Sequence, residues 1–449
     1  MTTQANTPII TEDVFLTSPK DTRIANLAAR VGQEVTLHGW VNTARSSGKI
    51  SFIELRDGSG YVQCVGEHHL LSPETMTEIQ RCSQESSITV DGVVQEHPKQ
   101  KGVYEINLRR VQVLHQALDY PLGKKDHGPD FLLENRHLWL RSRTQWAIQR
   151  IRNTIIHATY EFFSAYGFIK IDAPIITSTA CEGTTTLFSM DYHDLGKAYL
   201  SQSGQLYIEA AVMSHGRVFD FGPVFRAEKS KTKKHLSEFW MMDAEMAFCT
   251  HQQNMRFQEE LISYIIGRVL ALNQAELATM KRNTATLEKV KPPFVRLTHA
   301  QVVQMLQKEG ATIKANDDLG APDEAILAKL FDVPVFIERW PAEIKAFYMK
   351  RASDDPSVVL AADLMAPEGF GEILGGSQRE DDYETLKKRM ESENVPISEF
   401  QWYLDLRKYG SVPHAGFGFG LERLVNWISG AEHIRETIPF PRLLYRFKP

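Results

Sequence analysis

Two arginines far apart in the chain each follow a strand-like run, in company that suits a nucleotide. Arg226 closes the apolar run Val218-Phe219-Asp220-Phe221-Gly222-Pro223-Val224-Phe225; Lys229, Lys231, Lys233 and Lys234 follow it, and then Phe239-Trp240. A guanidinium fork can hold a phosphate bidentately, and an aromatic ring can cover a base. Arg423 follows Gly416-Phe417-Gly418-Phe419-Gly420, where glycines alternate with aromatics. Such a strand offers a backbone on which a ligand can lie flat. Asp363 and Glu372, on successive strand-like runs, are suitable ligands for Mg²⁺ bridging phosphates. Each feature alone has a bland reading: a bend, a solvated hairpin, two ordinary strand ends. Together they describe the gripping of a nucleoside triphosphate.

The elements that position these groups are legible from periodicity. Leu421, Leu424, Val425 and Ile428 recur at helical spacing and stop at Gly430. The Arg226 segment reads as strand, basic loop to His235, and strand Glu238 to Met246, an antiparallel hairpin. Trp146, Ile148, Ile151, Ile155, Ile156, Tyr160 and Phe163 predict a helix ending before Gly167. A strand from Phe168 to Ile176 then contains Pro174, which restricts it to a border or an irregular point of a sheet. The loop Ala180 to Thr186 suits a lid over a small ligand or an ordinary surface loop. Asn254 to Tyr348 is mainly helical by pattern and shows no chemistry.

From about Val31 to Leu114 short alternating runs, with a turn at Gly58 and Gly60 and a helical insert from Pro73 to Cys82, predict a small five-stranded barrel. Such barrels present an open face to single-stranded nucleic acid. Arg45, Phe52 and Gln63 are the candidates for that face, although Phe52 lies between Ile50 and Ile53 and suits a core equally well. Acidic residues slightly outnumber basic ones over positions 1–120, which excludes a generic polyanion binder. Ala117 to Leu140 mixes proline, glycine and charge and reads as a hinge.

A chain of 449 residues implies two or three domains, and 43% hydrophobic with 24% charged residues is ordinary for a globular protein. The cysteines, at 64, 82, 181 and 249, show no metal-ligand spacing and suit a reducing compartment. No signal-like segment or membrane-length apolar run is present, so the reading is soluble, cytoplasmic, with no membrane association. Net charge is −5, so any nucleic acid must be held by local patches.

With these residues in place, the chain resembles the class II aminoacyl-tRNA synthetases, in their aspartyl/asparaginyl/lysyl group. Three signatures carry the resemblance in order: the Gly167–Ile176 strand with Pro174, Phe225-Arg226-Ala227-Glu228, and Gly418-Phe419-Gly420-Leu421-Glu422-Arg423. Within the group it is most similar to the asparaginyl-tRNA synthetases, through Glu238-Phe239-Trp240-Met241, Gly375-Gly376-Ser377-Gln378-Arg379-Glu380 and Ile434 to Arg442. Aspartyl enzymes carry a lysine where this chain has Ile208, three residues after Gln205; without that charge a substrate carboxylate would lack a partner. Two departures are a basic loop at 229–235 and Asp243 where asparaginyl enzymes often have glutamate.

The resemblance implies an α+β fold: an N-terminal five-stranded OB-type β-barrel at 1–116, a hinge at 117–140, and a class II catalytic domain at 141–449. That domain would hold a mainly antiparallel sheet flanked by helices, with a mainly helical insertion at about 254–348. It implies ATP as substrate, Mg²⁺ on Asp363 and Glu372, and L-asparagine and tRNA(Asn) as partners of a homodimer. Arg226 and Arg423 would be catalytic, with Glu228, His235, Phe239 and Glu372 completing the ATP site. Glu182, Gln205 and Arg379 would bind the amino acid, with Asp243 or Glu245 accepting from its amide. Phe52 and Gln63, with Arg45 and, less directly, Glu105, would read the anticodon. The competing readings are an aspartyl enzyme of relaxed specificity, a tRNA-independent asparagine synthetase and an inactive tRNA-binding protein.

Overall fold

Alternation of apolar and polar residues from Glu34 to His115 places one row of side chains inside a closed surface. In the computed structural model, which describes residues 15–123, 125–178, 187–229, 232 and 234–449, the chain divides into two compact units, 1–127 and 128–449. In the first unit β1 (Glu34–Ser47), β2 (Ile50–Arg56), β3 (Tyr61–Glu67), β4 (Ser87–Glu96) and β5 (Tyr104–His115) close a barrel in the order β1-β2-β3-β5-β4. Val35, Leu37, Ile53, Leu55, Cys64, Val90 and Ile106 fill its interior. Helix α1 (Pro73–Arg81) joins β3 to β4; Ser72 caps it by accepting from the Thr75 N–H, with Pro73 at the first turn.

The second unit opens with α2 (Pro129–Glu134) and α3 (Arg136–Trp139). These occupy the second half of the expected hinge, 117–140, which is therefore not a linker there. Arg136 is buried and donates to the carbonyls of Glu436, Ile438 and Pro439, tying this stretch to the chain's C-terminal segment.

The long helix α4 (Arg143–Ala165) buries Ile148, Ile151, Ile155 and Phe163, as its periodicity predicts. The expected strand from Phe168 to Ile176 is reduced to β6 (Ile169–Lys170) and β7 (Ile176–Thr177), since Pro174 between them has no N–H to give a ladder. Then come β8 (Ser189–Asp191), β9 (Lys197–Leu200) and α5 (Gln205–His215), followed by the hairpin β10 (Arg217–Phe225) and β11 (Glu238–Ala247), antiparallel throughout. Next are α6 (His251–Leu272), α7 (Gln274–Thr279), α8 (Ala285–Glu288), β12 (Val295–Thr298), α9 (His299–Lys308), α10 (Ala321–Leu330) and β13 (Val335–Pro341). The chain ends with β14 (Val358–Ala366), β15 (Gly371–Gln378), α11 (Tyr383–Ser392), α12 (Ile397–Lys408), β16 (His414–Gly420) and α13 (Leu421–Ser429).

Eight strands form one sheet in the order β12-β13-β14-β15-β16-β11-β10-β6, with β6 at its border; β7-β9-β8 make a small second sheet. Only the outermost pairs, β12–β13 and β6–β10, are parallel. Helices α4, α6 and α13 cover one face: Ile151, Ile155, Ile262, Ile265, Leu424 and Ile428 pack on Phe219, Met242, Phe417 and Phe419. The expected insertion at about 254–348 is corrected by this arrangement. Helix α6 belongs to the main core, and β12 and β13 extend the same sheet.

Candidate active site

The face of the sheet away from α4 and α6 carries a cavity of about 390 Å³, a volume suited to a small ligand. Its walls come from the start of α5, the segment after β10, β11, β14, β15, β16 and the start of α13, and they include Arg226, Glu228, His235, Phe239, Asp243, Gln205, Asp363, Glu372, Arg379 and Arg423. The fold therefore brings together residues spread over some 200 positions. Glu182 lies outside the described residues, as do Ser230, Lys231 and Lys233 of the basic loop.

The alternating glycines of β16 have a more specific use than a flat ligand bed. A Cβ on Gly418 would stand 2.4 Å from Oδ1 of Asp243, and one on Gly416 would stand 2.0 Å from Oε2 of Glu245. Both acids come from β11, whose register sets Asp243 against Gly418 and Glu245 against Gly416. The glycines thus make room for two carboxylates, while Phe417 and Phe419, on the opposite face, are buried in the core.

At one end of the cavity, Arg226 leaves β10 with its guanidinium 5.7 Å from the Phe239 ring centroid. Arg423, in the first turn of α13, donates to the backbone carbonyl of Glu372 at 3.1 Å and to its carboxylate at 3.3 Å. His235 lies 4.0 Å from Glu228; burial and the charge of Arg423 push its pKa down, so its ring is neutral at neutral pH. Lys234 pairs with Glu324 of α10 at 2.7 Å, and both line the cavity.

Asp363 and Glu372 face each other across the glycines of β15. Oδ1 of Asp363 and Oε1 of Glu372 lie 3.2 and 3.3 Å from where a Cβ on Gly375 would be. Burial pushes the Asp363 carboxyl up to about 6, against the pull of Lys345. Glu372 is held below its usual range, because Arg423, Lys345 and Arg226 together outweigh the burial that opposes its charge. Two carboxylates facing one gap are a donor set that would suit Mg²⁺. No group of three or more potential ligands occurs among the described residues, so a closed all-protein metal centre is not what this site offers.

The other end is smaller and polar. Arg379 is buried; its Nε and Nη2 donate to Glu245 at 3.2 and 3.0 Å and its Nη1 to Ser377 at 2.8 Å. Burial opposes its charge, but Glu245 and Glu209 more than restore it. Glu245 is absent from the cavity wall, so its expected part as a direct acceptor is corrected: it holds Arg379 from behind. Asp243 does line the cavity, and its Oδ2 accepts from Ser203 Oγ at 2.9 Å and from the Gly204 N–H at 3.0 Å. Ile208 is packed with Val212 and Val218 and does not reach the cavity.

Lys345 was not singled out by sequence. It sits within the stretch read as free of chemistry, yet its ammonium lies 2.7 Å from Asp363 and 3.9 Å from the centre of the Trp340 ring. Nothing local marks it, because its partner acid is on another strand.

In the barrel, strand alternation settles the two readings of Phe52. Ser51 and Ile53 are buried, whereas Phe52 is half-buried on the outer surface, with the Arg45 guanidinium 5.1 Å from its ring. Arg45 is its cross-strand partner, and Gln63 pairs with Glu54 on one side and Glu105 on the other. All four candidates lie on one continuous outer face of β1, β2, β3 and β5.

Comparison with known proteins agrees with both units. Residues 128–444 match the family of class II tRNA synthetases (D, K and N), and residues 35–114 match the OB-fold nucleic acid binding domain. An asparagine–tRNA ligase of Pelotomaculum thermopropionicum is 53% identical over 95% of this chain and 99% of its own length. Asparaginyl-tRNA synthetase of Pyrococcus horikoshii, solved with asparaginyl-adenylate, superposes with a TM-score of 0.92 at 40% identity, covering 96% of this chain and all of that one. A putative aspartyl-tRNA synthetase of Leishmania major is more distant, with a TM-score of 0.82 at 25% identity, over 98% of this chain and 97% of that one. A cavity built on these strands in a chain that also carries an OB barrel, with relatives this close along almost the full length, places the chain in the asparaginyl-tRNA synthetase family of class II tRNA synthetases.

Proposed function

We propose that this enzyme activates L-asparagine with ATP to an asparaginyl-adenylate, releases pyrophosphate, and transfers the asparaginyl group to tRNA(Asn), releasing AMP. The observation that carries this reading is that one cavity joins a triphosphate-gripping end, with Arg226 and Arg423, to an amide-sized polar end with Asp243 and Arg379. The relatives' activities, and the adenylate held by the Pyrococcus horikoshii enzyme, support it.

The reaction needs no protein nucleophile. The carboxylate of asparagine attacks the α-phosphorus in line, and catalysis is positioning plus stabilisation of charge as it develops. Arg226 binds the α-phosphate, and Phe239 and Arg423 sandwich the adenine, whose amino group Glu228 receives. His235, neutral at working pH, donates a hydrogen bond toward the outer phosphates. Asp363 and Glu372 would hold Mg²⁺, which would neutralise phosphate charge. Gln205, with Glu182, accepts from the α-ammonium; Arg379 donates to the side-chain carbonyl, and Asp243 accepts from the side-chain NH₂. The terminal ribose hydroxyl of the tRNA then attacks the adenylate carbonyl. Arg45, Phe52, Gln63 and Glu105 of the barrel contact the anticodon.

The working form is a homodimer in the cytoplasm. Ile169 on the border strand β6, Ile175 and Ile176 at β7 and Phe188 before β8 are exposed and supply apolar surface for a second copy. No helix among the described residues is long and apolar enough to cross a membrane. The deciding test is amino-acid-dependent ATP–pyrophosphate exchange with asparagine and aspartate side by side. Exchange with asparagine alone is expected; exchange with aspartate alone would overturn the substrate assignment, and light scattering that returned a monomer would overturn the dimer.

A further inference from the structure

Beneath the amino-acid end of the cavity lies a buried polar cluster that the reaction above does not use. Glu209, on α5 one turn after Gln205, is fully buried. Its Oε2 accepts from the Tyr403 hydroxyl at 2.7 Å and from Arg407 Nη2 at 2.7 Å, with His414 Nε2 at 3.2 Å. Its Oε1 accepts from the side-chain Nε2 of Gln205 at 3.0 Å. Burial opposes its charge, but Arg407, His414 and Arg379 outweigh that and hold its carboxyl well below the usual range.

An ionised carboxylate accepts hydrogen bonds and donates none. The amide of Gln205 has two ends of nearly equal shape, one a donor and one an acceptor, and a neighbour that only accepts admits one of the two orientations. The NH₂ must face Glu209, which turns the carbonyl oxygen to the cavity that Gln205 lines. Resting on the proposed function, we infer that Glu209 is a positioning residue that fixes the Gln205 amide with its carbonyl toward the substrate, so that the site selects for an α-ammonium group. Tyr403, Arg407 and His414, from α12 and β16, hold the carboxylate in place for that task.

The test compares two inhibitors of ATP–pyrophosphate exchange: asparaginyl sulfamoyl adenosine and its counterpart lacking the α-amine. The wild-type enzyme is expected to prefer the amine-bearing compound strongly. In Glu209→Gln the side-chain oxygen must face Arg407, which only donates, so its NH₂ faces Gln205 and turns that amide over; the preference should shrink by about ten- to hundredfold, entirely through weaker binding of the amine-bearing compound. The exchanged double variant Gln205→Glu with Glu209→Gln keeps the same atoms and net charge with donor and acceptor reversed, and it should recover the preference. A Glu209→Gln enzyme that keeps the wild-type ratio, or weakens both compounds equally, would overturn the inference. So would a folded exchanged pair that fails to recover the preference, which keeps the question decidable if the single variant does not fold. Failure of the wild-type enzyme to bind either compound would instead overturn the proposed function.

Discussion

Asp363 and Glu372, on neighbouring antiparallel strands, each aim one oxygen at the same point, 3.2 and 3.3 Å from the position a Cβ on Gly375 would take. The gap exists because residue 375 has no side chain. Gly375→Ala puts a methyl group there; these contacts are tight but yield with shifts of a few tenths of an ångström, and the backbone is in an ordinary region, so the fold should survive. The Mg²⁺ concentration for half-maximal exchange should rise about tenfold or more, with stability within about 1 kcal/mol of wild type. An unchanged Mg²⁺ titration would remove the metal from this gap.

Arg379 uses its fork on Glu245 and Ser377 at once. Lysine cannot reproduce that geometry, so Arg379→Lys should raise the KM for asparagine by about 10- to 100-fold, the loss of a hydrogen bond to a charged group. The KM for ATP should stay within about twofold, because this end of the cavity is distinct from the Arg226 end. Equal loss for both substrates would show a general collapse of the site.

Asp243 can only accept, and it faces the cavity beside Ser203 and Gly204. Asp243→Asn introduces a donor. Discrimination of asparagine over aspartate should fall by about 10- to 100-fold in kcat/KM, since the amide loses an acceptor and the carboxylate loses a repelling neighbour. Side-by-side exchange assays read this directly, and an unchanged ratio would move recognition of the amide elsewhere.

His299 is buried on the Trp340 ring, and its Nε2 donates to the Asp317 carbonyl at 3.0 Å. Burial pushes its pKa down, against that hydrogen bond and with help from Lys345. The unfolded chain therefore takes up a proton near the ordinary value of about 6.5, while the folded protein resists until lower pH. Its contribution is complete above about pH 6.5 and is lost as pH falls from there. Melting temperature should decline between pH 7 and 5, and His299→Gln should flatten that decline; parallel curves would contradict the assignment.

Phe52→Ala and Gln63→Ala should separate the two units functionally. Loss of a stacked base costs about 1–3 kcal/mol, so the KM for tRNA(Asn) should rise by about 10- to 100-fold. Exchange without tRNA should stay at the wild-type rate, because it needs only the cavity of the second unit. A drop in tRNA-free exchange would mean that these substitutions damage more than the barrel's outer face.

Much of this was readable in the order of residues. The barrel, α4, the β10–β11 hairpin and the stop of α13 at Gly430 follow from local alternation, helical spacing and a left-handed glycine cap, all of which act over a few residues. Arg226 and Arg423 stood out because each follows a strand with its own signature. Tertiary structure decided what depends on neighbours distant in sequence. Asp243 and Glu245 share one face of β11, and local pattern cannot rank them. Glu245 is withdrawn from the cavity by Arg379, 134 residues away, while Asp243 fits over Gly418. Lys345 became part of the site through Asp363, and Glu209 through Tyr403, Arg407 and His414, some 200 residues downstream. Periodicity reports which way a side chain points, but a buried charge is defined by the partners that surround it, and only the folded chain brings those partners together.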